Sequence, residues 1–73
     1  MCNGYKNWNH WNVSLWINND EGLYRQASYL CRLHTKNAAA KLMHSSLQDL
    51  GVDKTPDGAP YSVSSIRAAL TGL

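Results

Sequence analysis

The sequence predicts a mostly α-helical protein, a compact bundle of three to four short helices with a loop that contains proline and glycine at about residues 51–61. Apolar residues recur at helical spacing in several segments. A residue type that caps helix N-termini, namely Asn, Asp, Thr or Ser, precedes each segment. Both prolines fall in the one stretch that lacks this periodicity. The 73 residues are therefore expected to form a single domain, residues 1–73, near the lower size limit for independent stability.

The first helix is predicted to run to about Ile17, with Asn7 or Asn9 as its N-cap. The Asn18–Asn19 pair ends it, because Asn tolerates the left-handed conformation found at helix ends. All three tryptophans of the chain fall within nine positions of this helix: Trp8, Trp11 and Trp16. Three indole rings are more apolar surface than one thin helix can hide alone. We therefore expect this helix to pack against the rest of the chain or against a partner.

The second helix is capped by Asn19 or Asp20, and the charges of Asp20 and Glu21 in its first turn favour the positive end of the helix. Its apolar stripe has helical spacing and consists of Leu23, Ala27, Leu30 and His34, flanked by Tyr24 and Cys31. A basic stripe lies on the opposite side and consists of Arg25, Arg32 and Lys36. This is the most clearly amphipathic element in the chain.

Gly22 stands early in this helix, where Gly is less favourable than Ala by about 1 kcal/mol. We interpret Gly22 as a point of close backbone approach beneath the ring of Trp16 or Tyr24. On this interpretation, Gly22→Ala is expected to destabilise the protein. The corner formed by residues 19–22 is expected to be architectural rather than functional.

The third helix begins after Thr35 or Asn37, and Gly51 is its natural stop. The run of three alanines at 38–40 favours helix, and an apolar stripe continues through Leu42, Met43, Leu47 and Leu50. After the proline-containing loop, Ser62 or Ser64 caps a short last helix. Its apolar positions are Val63, Ile66, Ala69 and Leu70. A short strand over residues 59–63 is the alternative for the beginning of this segment.

Composition places the chain in a broad class. The net charge of +2 is too weak to require a nucleic-acid partner and does not exclude one. Two cysteines, 29 positions apart, are too few for a secreted disulfide scaffold, so a reducing, cytoplasmic setting is expected, with a Cys2–Cys31 disulfide as the alternative. The polar N-terminal residues do not resemble a signal peptide. Nothing approaches the roughly 20 apolar residues of a membrane span, and no membrane partner is expected.

Catalytic and metal-binding patterns are weak, so we expect neither an enzyme nor a bound cofactor or metal. Cys31 and His34 are three apart, but the paired short spacings of zinc sites are missing. The preferred interpretation is a buried Cys31 and a His34 at a helix end. A Cys–His nucleophile pair has no acid at a recognisable spacing to orient it. Asp20 and Glu21 diverge by about 100° on a helix and cannot readily act on one atom.

The candidate binding residues are the tryptophans and the basic stripe. Three interpretations of the tryptophans remain open: core packing, a stacking platform for bases, and anchors of a protein interface. The basic stripe is either a solvated helix face or a contact for an acidic surface or phosphates. The predicted partner-binding residues are accordingly Trp8, Trp11, Trp16, Arg25, Arg32 and Lys36.

Residues 7–24 resemble a family of small phage and prophage proteins. The matching positions are Trp8, Trp11, Asn12, Leu15, Trp16, Asn19, Asp20, Glu21, Gly22 and Tyr24. The tetrad Thr55-Pro56-Asp57-Gly58 is similar to a later segment of the same family. This chain has Asn9-His10 where that family commonly has Glu-Thr. The resemblance implies an origin in a mobile element and carries no biochemical activity with it.

Residues 47–70 are similar to the helix–loop–helix segment of large serine recombinases. The matching positions are Gly51, Val52, Thr55, Pro56, Gly58, Pro60, Tyr61, Ser62, Ser64, Ile66 and Arg67. In the recombinases this segment belongs to a DNA-binding region, which implies that the last helix is a recognition helix. Two departures are Asp57, where a basic residue is usual, and Arg67 as the one charge on that helix.

Two functional hypotheses follow. The first is a non-enzymatic phage or mobile-element protein that binds a host protein in the cytoplasm of an infected or lysogenic bacterium. The target would be a defence complex, and the protein would act in the manner of an anti-CRISPR inhibitor. The choice of anti-defence over other host-takeover roles rests on analogy. The alternative is a helix-turn-helix DNA-binding regulator, working as a homodimer. Its contacts would come from Lys54, Ser62, Ser64, Ser65 and Arg67.

Overall fold

The computed structural model describes residues 4–73 and contains four helices. Their bounds are α1, Trp8–Asn19; α2, Glu21–Leu33; α3, Lys36–Asp49; and α4, Val63–Leu70. The loop between α3 and α4 contains both prolines. The predicted mostly α-helical bundle is confirmed. Among residues 4–73 the alternative strand at 59–63 does not form; the loop makes a single antiparallel bridge between Lys54 and Pro60.

Each helix begins at a side chain that accepts the backbone N–H three residues later. The bonds are Asn7 with His10 at 3.0 Å, Asp20 with Leu23 at 3.0 Å, Thr35 with Ala38 at 3.2 Å, and Ser62 with Ser65 at 3.0 Å. These are the bonds that satisfy otherwise free amides at a helix N-terminus. In each case one of the two predicted caps is confirmed. The other candidates lie inside or at the end of a helix: Asn9, Asn19, Asn37 and Ser64.

Asp20 serves two helices at once. Its backbone N–H donates to the carbonyl of Trp16 at 2.9 Å and so ends α1. Its side chain starts α2, and its own carbonyl accepts from the N–H of Tyr24 at 2.8 Å. The architectural role predicted for this corner is therefore present in the structure, with no intervening loop.

The core lies where α4 packs against α1 and α3, and where α2 packs against the same two helices. Its buried apolar residues are Val13, Ile17, Ala27, Ala39, Ala40, Met43, Leu47, Ala59, Tyr61, Ile66, Ala69 and Leu70. None of the three tryptophans is among them, which is contrary to the core-packing interpretation. Two members of the predicted α3 stripe, Leu42 and Leu50, are also exposed, and Leu50 is the C-cap of α3 rather than part of the helix. His34 is exposed as the C-cap of α2.

The glycines correct one prediction and confirm another. A Cβ placed on Gly22 would meet only Asp20 Oδ1 within 4 Å, at 3.4 Å, which is ordinary van der Waals contact. No ring of Trp16 or Tyr24 covers it, so the predicted close approach is wrong. Gly51 has a φ of +75°, which ends α3 as predicted. Gly58 has a φ of +98° and closes a turn in the loop.

Candidate functional site

Four polar side chains join α1 to the loop, and we call them the clasp: Asn12, Trp16, Thr55 and Asp57. The hydroxyl of Thr55 donates to Asn12 Oδ1 at 2.6 Å and accepts from the N–H of Ala59 at 3.0 Å. The amide of Asn12 and the indole N–H of Trp16 both donate to Asp57 Oδ2, each at 2.9 Å. Asn12 and Thr55 are buried, whereas Asp57 is exposed. The clasp therefore holds the loop against α1 through bonds that exist only in the folded chain.

Local sequence explains this geometry on both sides. Asn12 and Trp16 are four residues apart and therefore share a face of α1. The loop side is a turn over residues 55–58, closed by a bond from the N–H of Gly58 to the carbonyl of Thr55 at 2.9 Å. Proline at its second position and glycine at its fourth are typical of such turns. The two donors lower the pKa of Asp57, Asn12 contributing more than Trp16.

The clasp brings together the two segments that carry the phage-protein resemblance. Asn12 and Trp16 belong to the first segment, and Thr55 and Asp57 belong to the second. Their polar groups form hydrogen bonds with one another, so these four residues have a structural role. Trp16, predicted as a partner anchor, is half-buried and uses its N–H internally. Of the other two tryptophans, Trp11 is half-buried and Trp8 is 45% exposed, so Trp8 offers the largest free ring surface.

Two members of the predicted basic stripe, Arg25 and Arg32, line an open groove, which we call the α2 groove. The third, Lys36, was predicted on the second helix, but it is the first residue of α3 and does not line the groove. The α2 groove has a volume of about 820 Å³ and lies between α2 and the last residues of the described chain. Its lining is Tyr24, Arg25, Ser28, Tyr29, Cys31, Arg32, Gly72 and Leu73. Tyr24 and Tyr29 are 44% and 56% exposed, although tyrosine is apolar over most of its surface. The structure thus combines exposed aromatic rings and cationic side chains in one concave surface.

The three predicted basic residues differ in their surroundings. Arg25 forms an ion pair with Glu21 at 3.0 Å, and both side chains are at least three-quarters exposed, so the pair is weak. Arg32 is exposed and has no ion pair among residues 4–73. Lys36 Nζ donates to the carbonyl of Leu73 at 3.2 Å, which fixes the end of the groove. Arg25 and Arg32 therefore remain available, while Lys36 supports the groove wall.

Sequence reasoning missed Tyr29 as a surface residue. The signal was present, because Tyr29 lies four residues after Arg25 and three before Arg32 and so belongs to the basic stripe. Trp8, Trp11 and Trp16 do not line the α2 groove. The predicted partner-binding set is therefore divided among α1, which carries the tryptophans, α2, which carries Arg25 and Arg32, and α3, which begins at Lys36.

The residues predicted for DNA contact are mostly engaged within the protein. Ser65 is 1% exposed and closes a capping box with Ser62, so its assignment to a DNA-contacting surface is wrong. Ser64 Oγ lies 3.1 Å from His10 Nε2, and Arg67 donates to Asn37. Lys54 and Arg67 are exposed. The connection at residues 50–62 is much longer than the three- to four-residue turn of a helix-turn-helix.

Among residues 4–73, no three His, Cys, Asp or Glu side chains are grouped closely enough to hold a metal ion. Cys31 is a half-buried free thiol, less buried than predicted, and the alternative disulfide involves Cys2, which lies outside the described residues. None of the four helices is long and apolar enough to cross a membrane.

Comparison with known proteins identifies the family of this chain. No curated protein and no solved structure matches this chain. One family model covers residues 1–70, which is nearly the whole sequence and includes both halves of the clasp. The chain therefore belongs to DUF7249, a family of unknown function.

Proposed function

We propose that this protein acts without catalysis, by binding another protein through the α2 groove. The observation that carries the proposal is the combination of Tyr24, Tyr29, Arg25 and Arg32 in one open concave surface. Tyrosine and arginine are the residue types, with tryptophan, that are enriched at the energetic centres of protein interfaces. A bundle of this size buries apolar side chains where it can, so two exposed rings beside two arginines favour an interface.

The positive charge of the two arginines indicates an acidic partner surface. Arg32 is unpaired within residues 4–73, and the exposed ion pair of Arg25 with Glu21 can be exchanged at little cost. An acidic segment that also presents an apolar side chain matches this surface, because carboxylates would meet the arginines and the apolar group would meet the tyrosine rings. Arginine is well suited to this role since its planar fork can bind a carboxylate through two parallel bonds.

We further propose that the partner is a bacterial host protein, such as a component of a defence complex. The basis is the resemblance of residues 7–24 and 55–58 to small phage and prophage proteins, together with the analogy to small anti-CRISPR-like inhibitors. On this proposal the protein is made in the cytoplasm of an infected or lysogenic bacterium and inhibits its target by occupying a surface.

The test is affinity capture from a bacterial host lysate, with the intact protein as bait and with nuclease treatment as one arm. The disruptive variant is Arg25→Glu with Arg32→Glu. Its matched control is Lys6→Glu with Lys41→Glu, which changes the net charge equally at two exposed lysines outside the groove. Circular dichroism establishes that both variants are folded.

We expect one protein to be captured in stoichiometric amount despite nuclease, to be lost with the groove variant, and to be retained with the control. Equal capture by the two variants would place binding elsewhere and contradict the proposal. Capture that disappears after nuclease treatment, and that weakens steeply as salt rises, would favour the DNA-binding alternative instead.

A further inference from the structure

A second groove has a lining distinct from that of the α2 groove, and we call it the α3–loop groove. It has a volume of about 490 Å³ and lies between the α1–α2 corner, the end of α3 and the loop. Its lining is predominantly apolar and includes Leu23, Leu50, Val52 and Tyr61. No residue of the α2 groove lines it. The two surfaces can therefore be tested independently.

Two apolar side chains that line this groove are exposed, Leu50 and Val52. Leu50 is 73% exposed, the highest value among the large apolar side chains of residues 4–73, and Val52 beside it is 39% exposed. Leu50 is the C-cap of α3, so its side chain projects from the end of the helix, where neither α2 nor α4 covers it. A protruding leucine next to an apolar depression provides both halves of a complementary contact.

The groove carries two charges of opposite sign. Asp20 and Lys54 both line it, and they form no ion pair with each other or with any other group in residues 4–73. Asp20 uses Oδ1 to cap α2, and no group of residues 4–73 donates to its Oδ2. In a contact with two-fold symmetry, the same patch meets itself, and residue i of one copy meets residue j of the other. Asp20 and Lys54 would then form two equivalent pairs across the axis.

We propose that the α3–loop groove is the contact surface of a homodimer. Leu50 and Val52 of each copy cover the apolar groove of the other, and the Asp20–Lys54 pairs set the orientation. A second copy fits this surface better than an unrelated partner, because the surface carries one charge of each sign and supplies its own complement. The dimer leaves both α2 grooves open, so it presents two binding surfaces at once.

Sedimentation equilibrium of the full chain from micromolar to millimolar concentration tests this. The disruptive variant is Leu50→Asp, and the matched control is Leu42→Asp, at an exposed leucine within α3 that does not line the groove. A second pair is Lys54→Glu against Lys41→Glu. Circular dichroism and urea denaturation establish that each variant folds.

The wild type is expected to shift from one chain to two with rising concentration. Leu50→Asp should raise the dimer dissociation constant by about tenfold or more, because the change occurs twice in each dimer. Lys54→Glu should weaken the dimer less, and both controls should behave as wild type.

A wild type that stays monomeric at millimolar concentration, or equal effects of Leu50→Asp and Leu42→Asp, would overturn the proposal. The proposal would also be overturned if the wild type were monomeric and captured a lysate protein through a contact that requires Leu50. The α2-groove variant should still dimerise, so failure of one proposal leaves the other intact.

Discussion

Trp16 and Asp57 are 41 residues apart in sequence, and the indole N–H of the first donates to the carboxylate of the second at 2.9 Å. Asn12, one turn earlier on α1, donates to the same oxygen. The loop has little regular secondary structure, since it forms one isolated β-bridge, between Lys54 and Pro60. Side chains of α1 therefore help to hold the loop on the bundle, together with the buried Ala59 and Tyr61, and the contribution of α1 can be measured.

Replacement of Asn12 by alanine is expected to lower the free energy of unfolding by about 2–3 kcal/mol, because the change leaves the buried hydroxyl of Thr55 without its acceptor and removes a donor to Asp57. Urea denaturation measures this loss. The matched control is Asn9→Ala, at an exposed position on the same helix, which should change stability by less than about 0.5 kcal/mol. Equal losses in the two variants would show that the clasp adds nothing to stability.

The clasp should also make stability depend on pH in the acid range. The pKa of Asp57 is lowered in the folded state by Asn12 and then by Trp16, so the folded protein binds fewer protons than the unfolded chain. This contribution is present above the ordinary carboxyl pKa of about 3.9 and is lost as the pH falls through the lower folded value. Wild type should therefore lose more stability on acidification than Asp57→Asn. Asp53→Asn, an exposed carboxylate in the same loop, is the control and should follow the wild type. If the stability of wild type and of Asp57→Asn fell equally with decreasing pH, Asp57 would not be the source of the pH dependence.

Gly22→Ala is expected to stabilise the protein by about 0.5 kcal/mol, because alanine is the better helix former and the added Cβ would be in ordinary contact with Asp20. Gly58→Ala should do the opposite and cost about 1 kcal/mol, because Gly58 has a φ of +98° that residues with a Cβ rarely adopt. Thermal denaturation of both variants provides the comparison. A lower melting temperature for Gly22→Ala would restore a packing role for this glycine.

Asp20→Ala should cost about 1 kcal/mol, since it removes the acceptor for the first turn of α2. Asp20→Asn keeps an acceptor oxygen and should cost much less. Chemical denaturation of the two variants separates the hydrogen bond from the charge. If Asn were as damaging as Ala, the charge of Asp20 rather than its capping bond would be the stabilising feature.

The helices were predictable because their signals are local. A cap such as Asp20 and the residue whose N–H it accepts are three positions apart, so both are visible in one short window. The α2 stripe was likewise visible, and Ala27 is buried as its pattern requires. Local patterns could not decide between the two candidate caps of each helix. The two candidates are one or two residues apart, and the choice depends on how the chain enters the helix.

The candidate site was less predictable because it depends on distant contacts. Nothing near Trp16 in sequence indicates that its N–H is bonded to a residue 41 positions later. The α2 groove needs Leu73 as one wall, which sequence periodicity in α2 cannot reveal. Leu50 continues the apolar spacing of α3, but the helix ends at Asp49, so the side chain leaves the core. Tyr29 was within reach, since it lies on the basic stripe itself.

The double use of Asp20 has a consequence for binding. A rotation of α2 relative to α1 must break a bond to Trp16, Leu23 or Tyr24, because Asp20 connects to all three. Trp16 in turn holds Asp57, and Tyr24 lines the α2 groove. The frame of the groove is thus preorganised by bonds that exist before any partner arrives. If the α2 groove binds a partner as proposed, little of the association energy would be consumed in ordering the backbone of this protein.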